Sequence, residues 1–413
     1  MTSFTMSCRA KELCCVRRIV LLATMTLFLC GPGCVGGGGL TAGISANTPA
    51  TIQQAPLRAM QVDLDYVYDA DPIQEEKNLR LLLTRVKKVG VNTVFLQAYA
   101  DPDGNDGAEA LYFPSQYLPM RRDLFARTAA AIRKMGIRVY AWMPLLAFAP
   151  AAAHTDLLVQ RLPLSRDGIA GAGRAHRLSP FHPRARRLIR AIYRELAEHA
   201  VFDGILFHDD SVLSDFEDVS PAAMTVYRQA GFPDNINTIR ASVDLRRRWS
   251  RFKTRYVIDF SLSLVAMLRT RYPALRSARA IYGRAVFEPE SEEWLCQSLP
   301  LFLHAYDYSV VLAMPYLEKA PDPDNWLAEL ADRALAQALR PEMVVFELQS
   351  MNWWRKKKIP SRIMVHQFAL LERHGVVSFA YYPDDFFHDH PNASLLNQVM
   401  TKGTRLIEGG RLQ

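Results

Sequence analysis

The stretch FDGILFHDD, residues 202–210, contains the pattern from which the fold of this chain is predicted. Its first six residues are nearly all apolar, which is typical of a strand buried on both faces in a parallel sheet covered by helices. The stretch then ends in His208, Asp209 and Asp210. Two adjacent carboxylates that lose their hydration repel each other, so a fold seldom places them there without a partner or a task.

Seven other apolar, β-rich stretches alternate with amphipathic helical patterns along the chain. The stretches lie at 60–69, 91–101, 137–146, 278–287, 309–318, 344–354 and 376–385. The helical patterns run at 75–89, 124–135, 183–200, 245–272, 326–338 and 361–374, and several end at a glycine. Eight βα units predict an α/β fold, a single (β/α)8 TIM-type barrel with insertions, over residues 57–413. A doubly wound open sheet is the alternative, but no Gly-x-Gly-x-x-Gly motif follows the first strand.

The segment before the barrel differs in composition from the rest of the chain. A charged start, a short apolar run and the small residues of CGPGC predict a secretory signal over 1–34. Cys34 is a candidate lipidated residue of a bacterial lipoprotein, with ordinary cleavage as the alternative. A linker rich in Thr, Ala and Gly is expected at 35–56. Since five of the six cysteines lie in the leader, only Cys296 remains, which excludes a disulfide framework or a cysteine zinc site in the barrel.

The formal net charge of +8 is a second feature of the composition. Such a charge would suit a nucleic acid or an anionic membrane surface. The Lys and Arg residues are spread along predicted helices, however, and are not gathered into an arm. We therefore interpret the basicity as solvated helix faces, expect no nucleic-acid partner, and expect membrane contact only through the lipid anchor.

Polar and aromatic residues gather at the predicted C-terminal ends of the strands, the end of such a barrel that carries active sites and that we call the mouth. They are Asp63, Asp65, Tyr99, Asp101, Trp142, His208, Asp209, Asp210, Tyr282, Tyr316, Glu347, Trp353, Tyr382, Asp384 and Asp385. Aromatic rings stack on the apolar faces of sugars, while carboxyl groups bond hydroxyls or catalyse at the glycosidic oxygen. The surplus of negative charge indicates a substrate that carries amines.

These signals also have plain structural interpretations. Two aspartates at a strand end often only cap the next helix or form a turn. The segment DPDGNDG (101–107) resembles a calcium loop, but Tyr112 stands where the bidentate Glu should be, which favours a surface turn. His208 has no His or Cys neighbour at ligand spacing, so it is expected to form hydrogen bonds and not to bind a metal. We predict neither a metal nor a cofactor.

Motifs spread over the whole barrel resemble one known family. They include VDLDYVYD (62–69), NTVFLQAYADPDG (92–104), RLSPFHPRAR (177–186), FDGILFHDDSVLSDFED (202–218), VLAMPYLE (311–318), ELQSMNW (347–353) and YYPDDFFHDHP (381–391). In this order they are similar to the C-terminal glycoside hydrolase domain of the PgaB family, which processes the biofilm polysaccharide poly-β-1,6-N-acetyl-D-glucosamine (PNAG). Family members usually carry a zinc-dependent N-deacetylase domain before this barrel, and the leader and linker here are expected to leave no room for it.

The resemblance implies endo-hydrolysis of partially de-N-acetylated PNAG, a cationic polymer, in the periplasm or at the outer membrane of a Gram-negative bacterium. It also implies outer-membrane export machinery as a partner and catalysis by Asp209 and Asp210. One of the two is expected to be the general acid, its pKa raised by the charge of the other. A second group is Glu347, Asp63 or Asp65, or alternatively the N-acetyl carbonyl of the substrate attacks.

Three classes of function remain open from the sequence. A glycosidase is favoured, and a catalytically silent barrel that binds the polysaccharide or guides its export is the second. The third is a polysaccharide N-deacetylase, against which the lack of a metal-ligand cluster argues.

Overall fold

The computed structural model of the chain describes residues 56–105, 107–149, 152–162 and 176–402. The predicted signal at 1–34, with Cys34, and the predicted linker up to residue 55 lie outside the described residues, as does the chain beyond residue 402. Within the described ranges, no helix combines the length and the apolar character needed to cross a bilayer.

Eight strands form a parallel sheet in which each strand pairs with the next one along the chain. They are β1 (Ala59–Val62), β2 (Thr93–Gln97), β3 (Arg138–Met143), β4 (Gly204–Phe207), β5 (Arg276–Tyr282), β6 (Tyr308–Ala313), β7 (Val344–Gln349) and β8 (Ser378–Tyr382). The sheet closes on itself, because the backbone amide of Phe379 donates to the carbonyl of Leu57 at 2.8 Å. The predicted (β/α)8 barrel is confirmed.

Helices cover the outside of the barrel. They are α1 (Pro72–Val89), α2 (Phe125–Lys134), α3 (Pro183–His199), α4 (Pro221–Gln229), α5 (Ile236–Ala241), α6 (Val243–Arg271), α7 (Arg284–Phe287), α8 (Glu292–Leu295), α9 (Leu299–Ala305), α10 (Pro323–Leu335), α11 (Ser361–Arg373) and α12 (Ala393–Lys402). α1 shows why such segments become helices: the Asp71 side chain accepts from the amide of Ile73 at 3.0 Å, and Gly90 ends the helix with φ +76°. The insertions of the barrel are α4 and α5 before α6, and α7 to α9 between β5 and β6.

Large rings fill the middle of the barrel. Tyr140 of β3 lies 5.7 Å from the ring of Phe95 and 6.4 Å from that of Tyr308. Its register neighbour on β4 is Gly204, where a Cβ atom would lie only 2.5 Å from the Tyr140 ring. Because side chains alternate along a strand, Trp142 points to the same interior two residues nearer the mouth.

Two short antiparallel ribbons extend the loops at the mouth. Tyr99–Ala100 pairs with Ala110–Leu111 after β2, and Met351–Asn352 pairs with Lys357–Lys358 after β7. The sequence patterns did not predict these ribbons, because each strand is only two residues long. The second ribbon carries Trp353 at its turn, which places an aromatic ring above the barrel.

Candidate active site

The two adjacent carboxylates after β4 have different surroundings. Asp210 accepts three backbone hydrogen bonds, from Leu145 at 2.9 Å, Leu146 at 2.6 Å and Ala147 at 2.7 Å. These amides belong to the loop that follows β3, so Asp210 anchors that loop to β4. Asp209 instead places Oδ1 3.0 Å from Nδ1 of His208.

A cluster of aromatic rings lies beside Asp209. The ring of Trp142 contacts those of Tyr99 at 5.4 Å, His208 at 5.3 Å and Tyr382 at 5.7 Å, each with its edge against a face. Trp353 extends the cluster, since its ring lies 6.3 Å from that of Tyr382 at an angle of 30°. Residues from five different strand ends therefore meet at the mouth, as the sequence predicts for a barrel.

His208 is held by two contacts at one ring nitrogen. The indole Nε1 of Trp142 donates to Nδ1 of His208 at 3.2 Å, and a carboxylate oxygen of Asp209 approaches the same atom. One nitrogen cannot accept from the indole and donate to the carboxylate at once. The tautomer of His208 therefore decides which of the two contacts is a hydrogen bond.

Glu347 is the most desolvated of the predicted catalytic carboxyls. It is only 2 % exposed, on the inward face of β7, and Oε1 has no hydrogen-bond partner among the described residues. Burial, followed by the charge of Asp209, raises the pKa of Glu347 to about 8. A carboxyl in this environment holds a proton near neutral pH, which is the property that a general acid needs.

Asp63, after β1, is a second buried carboxyl. Burial, followed by the charge of Asp65, holds the pKa of Asp63 well above its usual range. The hydroxyl of Tyr382 donates to Oδ1 of Asp63 at 3.4 Å, while Oδ2 has no partner within the described part of the chain. Asp63 is therefore the alternative position for a protonated carboxyl at the mouth.

Asp65 lies at the centre of a hydrogen-bond network that supports the loops after β1 and β2. It accepts from the guanidinium of Arg121, from Tyr112 at 2.6 Å and from Gln97 at 3.0 Å. The backbone amide of Asp101 donates to the same carboxylate at 3.0 Å. The carboxylate of Asp101 in turn accepts from the amide of residue 105 at 3.0 Å, in the turn predicted for the DPDGNDG segment. Both aspartates hold the shape of the mouth.

The two aspartates after β8 have basic partners. Arg85 of α1 donates to Asp384 through Nε at 3.0 Å and Nη2 at 2.7 Å, and both side chains are buried. Burial opposes ionisation of Asp385, but hydrogen bonds from Lys358 and His388 outweigh it and lower the pKa of Asp385. The negative charge of the mouth is therefore smaller than the count of acidic residues suggests.

Tyr282 and Tyr316 lie on the β5 and β6 side of the mouth and are partly exposed. The backbone amide of Tyr282 donates to the side chain of Gln297 at 2.9 Å, and that of Tyr316 to Gln349 at 2.9 Å. Sequence reasoning missed Gln97, which donates to Asp65, as a residue that positions the site. A glutamine at the end of an apolar strand was the available signal, because a buried amide must be hydrogen bonded.

A (β/α)8 barrel that collects buried carboxyls and aromatic rings at the C-terminal ends of its strands is the arrangement of a glycoside hydrolase. Residues 61–382 match the family described as Hypothetical glycosyl hydrolase family 13, and the chain belongs to that family. The PgaB (BpsB) glycoside hydrolase domain from Bordetella bronchiseptica is similar, with a TM-score of 0.80 and 42% identity over 84% of this chain and 99% of that one. The resemblance seen in the motifs is confirmed.

Two further comparisons show how far the similarity extends. A protein of Escherichia coli (strain K12) named "Poly-beta-1,6-N-acetyl-D-glucosamine N-deacetylase" is 40% identical over 355 residues, which are 84% of this chain and 52% of that protein. The chain thus spans about half the length of this relative. A beta-galactosidase from Rahnella sp. R3 shares the fold alone, with a TM-score of 0.59 and 13% identity over 86% of this chain and 57% of that one.

Proposed function

We propose that this protein is an endo-acting glycosidase that cleaves partially de-N-acetylated poly-β-1,6-N-acetyl-D-glucosamine, with Glu347 as the general acid. The observation that carries the proposal is the environment of Glu347, a buried carboxyl with one unpartnered oxygen and a pKa of about 8. A group that is protonated at neutral pH can transfer its proton to the glycosidic oxygen as the bond to the anomeric carbon breaks.

Asp209 is the second carboxyl in this proposal. Its charge acts on Glu347, and its contact with His208 fixes its orientation. In that position it orients either the N-acetyl group of the substrate or an attacking water. Asp210 is assigned no proton transfer, because both of its oxygens already accept backbone hydrogen bonds.

The substrate class follows from the rings and from the relative. The partly exposed rings of Tyr382 and Trp353, supported from the barrel interior by the buried Trp142, provide faces on which pyranoses can stack. The name of the E. coli protein contains the polymer poly-beta-1,6-N-acetyl-D-glucosamine. Free amines of a partially de-N-acetylated chain would be attracted by the carboxylates that remain at the mouth.

Digestion of purified, partially de-N-acetylated PNAG tests the proposal. Wild-type protein is expected to release shorter oligosaccharides, measured by mass spectrometry, while Glu347→Gln binds the polymer without shortening it. Binding without cleavage by the wild type would instead favour the silent barrel. Release of acetate at constant chain length would favour a deacetylase.

We also propose that the protein is exported and anchored through a lipid on Cys34. The charged and apolar leader and the glycine-rich stretch after Cys34 support this proposal. Cys34→Ser is expected to abolish lipid labelling and, when membranes are washed at high salt to screen electrostatic attachment, to move the protein from the membrane to the soluble fraction. Unchanged fractionation would reject the anchor and leave secretion as the simpler explanation, and copurification with outer-membrane proteins would test for export machinery as a partner.

A further inference from the structure

Two helices contain the whole positive excess of the chain. α3 and α6 together have thirteen Arg and Lys against four Asp and Glu, a formal excess of +9, whereas the complete chain has +8. The remainder of the protein is therefore close to neutral. Along the sequence these residues looked dispersed over separate helices, because about forty residues lie between α3 and α6.

Folding brings α3 and α6 together. Arg186 of α3 donates to the hydroxyl of Tyr256 of α6 at 3.2 Å, and its guanidinium lies 5.1 Å from the ring of Phe260. The two helices are thus neighbours on the flank of the barrel. Ridges of apolar residues on each helix face the barrel, which leaves the opposite, outward sides to solvent.

Five arginines are exposed on these outward sides, and we call them the arginine face. They are Arg187, Arg190 and Arg194 of α3 and Arg248 and Arg255 of α6. The arginines of α3 are three and four residues apart and those of α6 are seven apart, and these spacings keep the arginines of each helix on one side of it. Helical neighbours at these separations carry the same charge and repel each other, so the arrangement does not serve the stability of the isolated helices.

The arginine face differs from several other basic positions of the two helices because its arginines form no direct ion pair with the described residues. Four other arginines of α3 and α6 form ion pairs: Arg184 with Asp156, Arg246 with Glu293, Arg251 with Glu292 and Arg269 with Asp307. None of the five arginines of the face has an ion pair with any residue that the structure describes. Three exposed carboxylates lie on the described residues of the two helices, those of Glu198, Asp244 and Asp259, against the five arginines.

We propose that the arginine face binds a membrane surface through the phosphate groups of anionic lipids. Guanidinium groups bind phosphate oxygens with two parallel hydrogen bonds, and the face contains arginine only. A protein interface would need an apolar centre. The large exposed apolar side chains of the described residues include none in α3 and only Val243, at the very start of α6. A positively charged surface without an apolar centre suits a layer of anionic lipid headgroups.

This inference does not depend on the proposed glycosidase activity. The face lies on the flank of the barrel, whereas the aromatic and acidic groups lie at the strand ends. A protein adsorbed by α3 and α6 would keep its mouth open to a polymer beside the membrane.

Binding to lipid vesicles tests the inference. The purified full-length protein carrying Cys34→Ser, which removes the proposed lipid anchor from all samples, is sedimented with vesicles of phosphatidylglycerol and phosphatidylcholine, or of phosphatidylcholine alone, at several salt concentrations. Variant one combines Arg187→Gln, Arg190→Gln and Arg194→Gln. The matched control removes the same charge from exposed positions of α1 and α2 with Lys77→Gln, Lys87→Gln and Lys134→Gln.

The Cys34→Ser protein with an intact arginine face is expected to bind only the anionic vesicles, and more weakly as salt increases. Each basic residue at such a surface contributes about fivefold, so variant one should bind about 100-fold more weakly. The control should lose less than about fivefold, since its lysines lie away from the contact.

Three results would overturn the inference. These are equal binding to phosphatidylcholine alone, equal losses in variant one and the control, and no binding to the anionic vesicles, whatever the affinity for duplex DNA, an acidic protein or inorganic phosphate. Unchanged melting temperatures and polymer digestion in both variants verify that the fold and the mouth are intact.

Discussion

Replacing Glu347 by glutamine is expected to change how the stability of the protein depends on pH. In the unfolded chain the carboxyl ionises near its ordinary pKa of 4.5, whereas in the folded state the pKa is about 8. Below pH 4.5 both states hold the proton, so the group contributes no pH dependence there. Between pH 4.5 and 8 the unfolded state alone releases it, which lowers the free energy of unfolding as the pH rises.

The size of the effect follows from the width of that pH window. Each unit of pKa difference corresponds to about 1.4 kcal/mol, so three to four units correspond to roughly 5 kcal/mol by pH 8. Glutamine has nearly the same shape and does not titrate. The difference between the free energies of unfolding of Glu347→Gln and the wild type should therefore shift in favour of the variant by about 1.4 kcal/mol for each pH unit in the window.

Urea unfolding at pH 5, 6, 7 and 8 measures this difference. Glu290→Gln is the matched control, since Glu290 is an exposed glutamate with no ion pair among the described residues. The plot of its free energy of unfolding against pH should stay parallel to that of the wild type. Parallel curves for Glu347→Gln as well would show that Glu347 ionises in the folded protein as it does in water, and the reasoning from its burial would be wrong.

The same variant is expected to lose polymer cleavage by about a hundred- to ten-thousand-fold while it keeps oligosaccharide binding, because an amide cannot deliver a proton. Wild-type cleavage should decrease above about pH 8, where the acid ionises. Full activity in Glu347→Gln would move the search for the acid to Asp63, a second buried carboxyl at the mouth with one unpartnered oxygen among the described residues.

Three further outcomes are expected. Gly204→Ala should lower the melting temperature, since the new Cβ would lie 2.5 Å from the Tyr140 ring and overpacking costs about 1–3 kcal/mol. An unchanged melting temperature would show that the ring can move aside. Asp210→Asn should destabilise the protein by roughly 2–4 kcal/mol in chemical unfolding, because an amide cannot accept all three backbone hydrogen bonds. Increased stability would indicate that relief of the repulsion between Asp209 and Asp210 dominates. Affinity for oligosaccharides, measured by calorimetry, should rise with the number of free amines and fall with salt, and equal affinity for fully acetylated oligomers would contradict an acidic mouth.

The barrel could be predicted from the sequence because its strands are nearly continuous apolar runs at regular intervals. Burial on both faces leaves that signal in every strand, whatever the loops do. The stretch at 278–287 shows the limit: the structure ends β5 at Tyr282 and begins a short helix at Arg284, because apolar periodicity cannot distinguish a short strand from a short buried helix.

The site was predicted at the level of the strand ends but not at the level of roles. Asp209 and Asp210 are indistinguishable by residue type, and only the loop after β3 makes one of them an acceptor of three amides. Asp384 looked like a residue of the mouth, yet Arg85, about three hundred positions earlier, pairs with it. Such long-range partners follow from the folded arrangement and leave no local pattern.

Closure of the barrel also determines where the polypeptide could be cut and rejoined. The start of β1 pairs with β8 through Leu57 and Phe379, and Asn397 of α12 donates to the carbonyl of Lys88 at the end of α1 at 3.1 Å. Both ends of the folded domain therefore lie at the face opposite the mouth. Proteins whose ends lie close together tolerate circular permutation. A short linker joining these ends, with new ends opened in a surface loop, would preserve the cyclic order of strands on which every contact of the mouth depends.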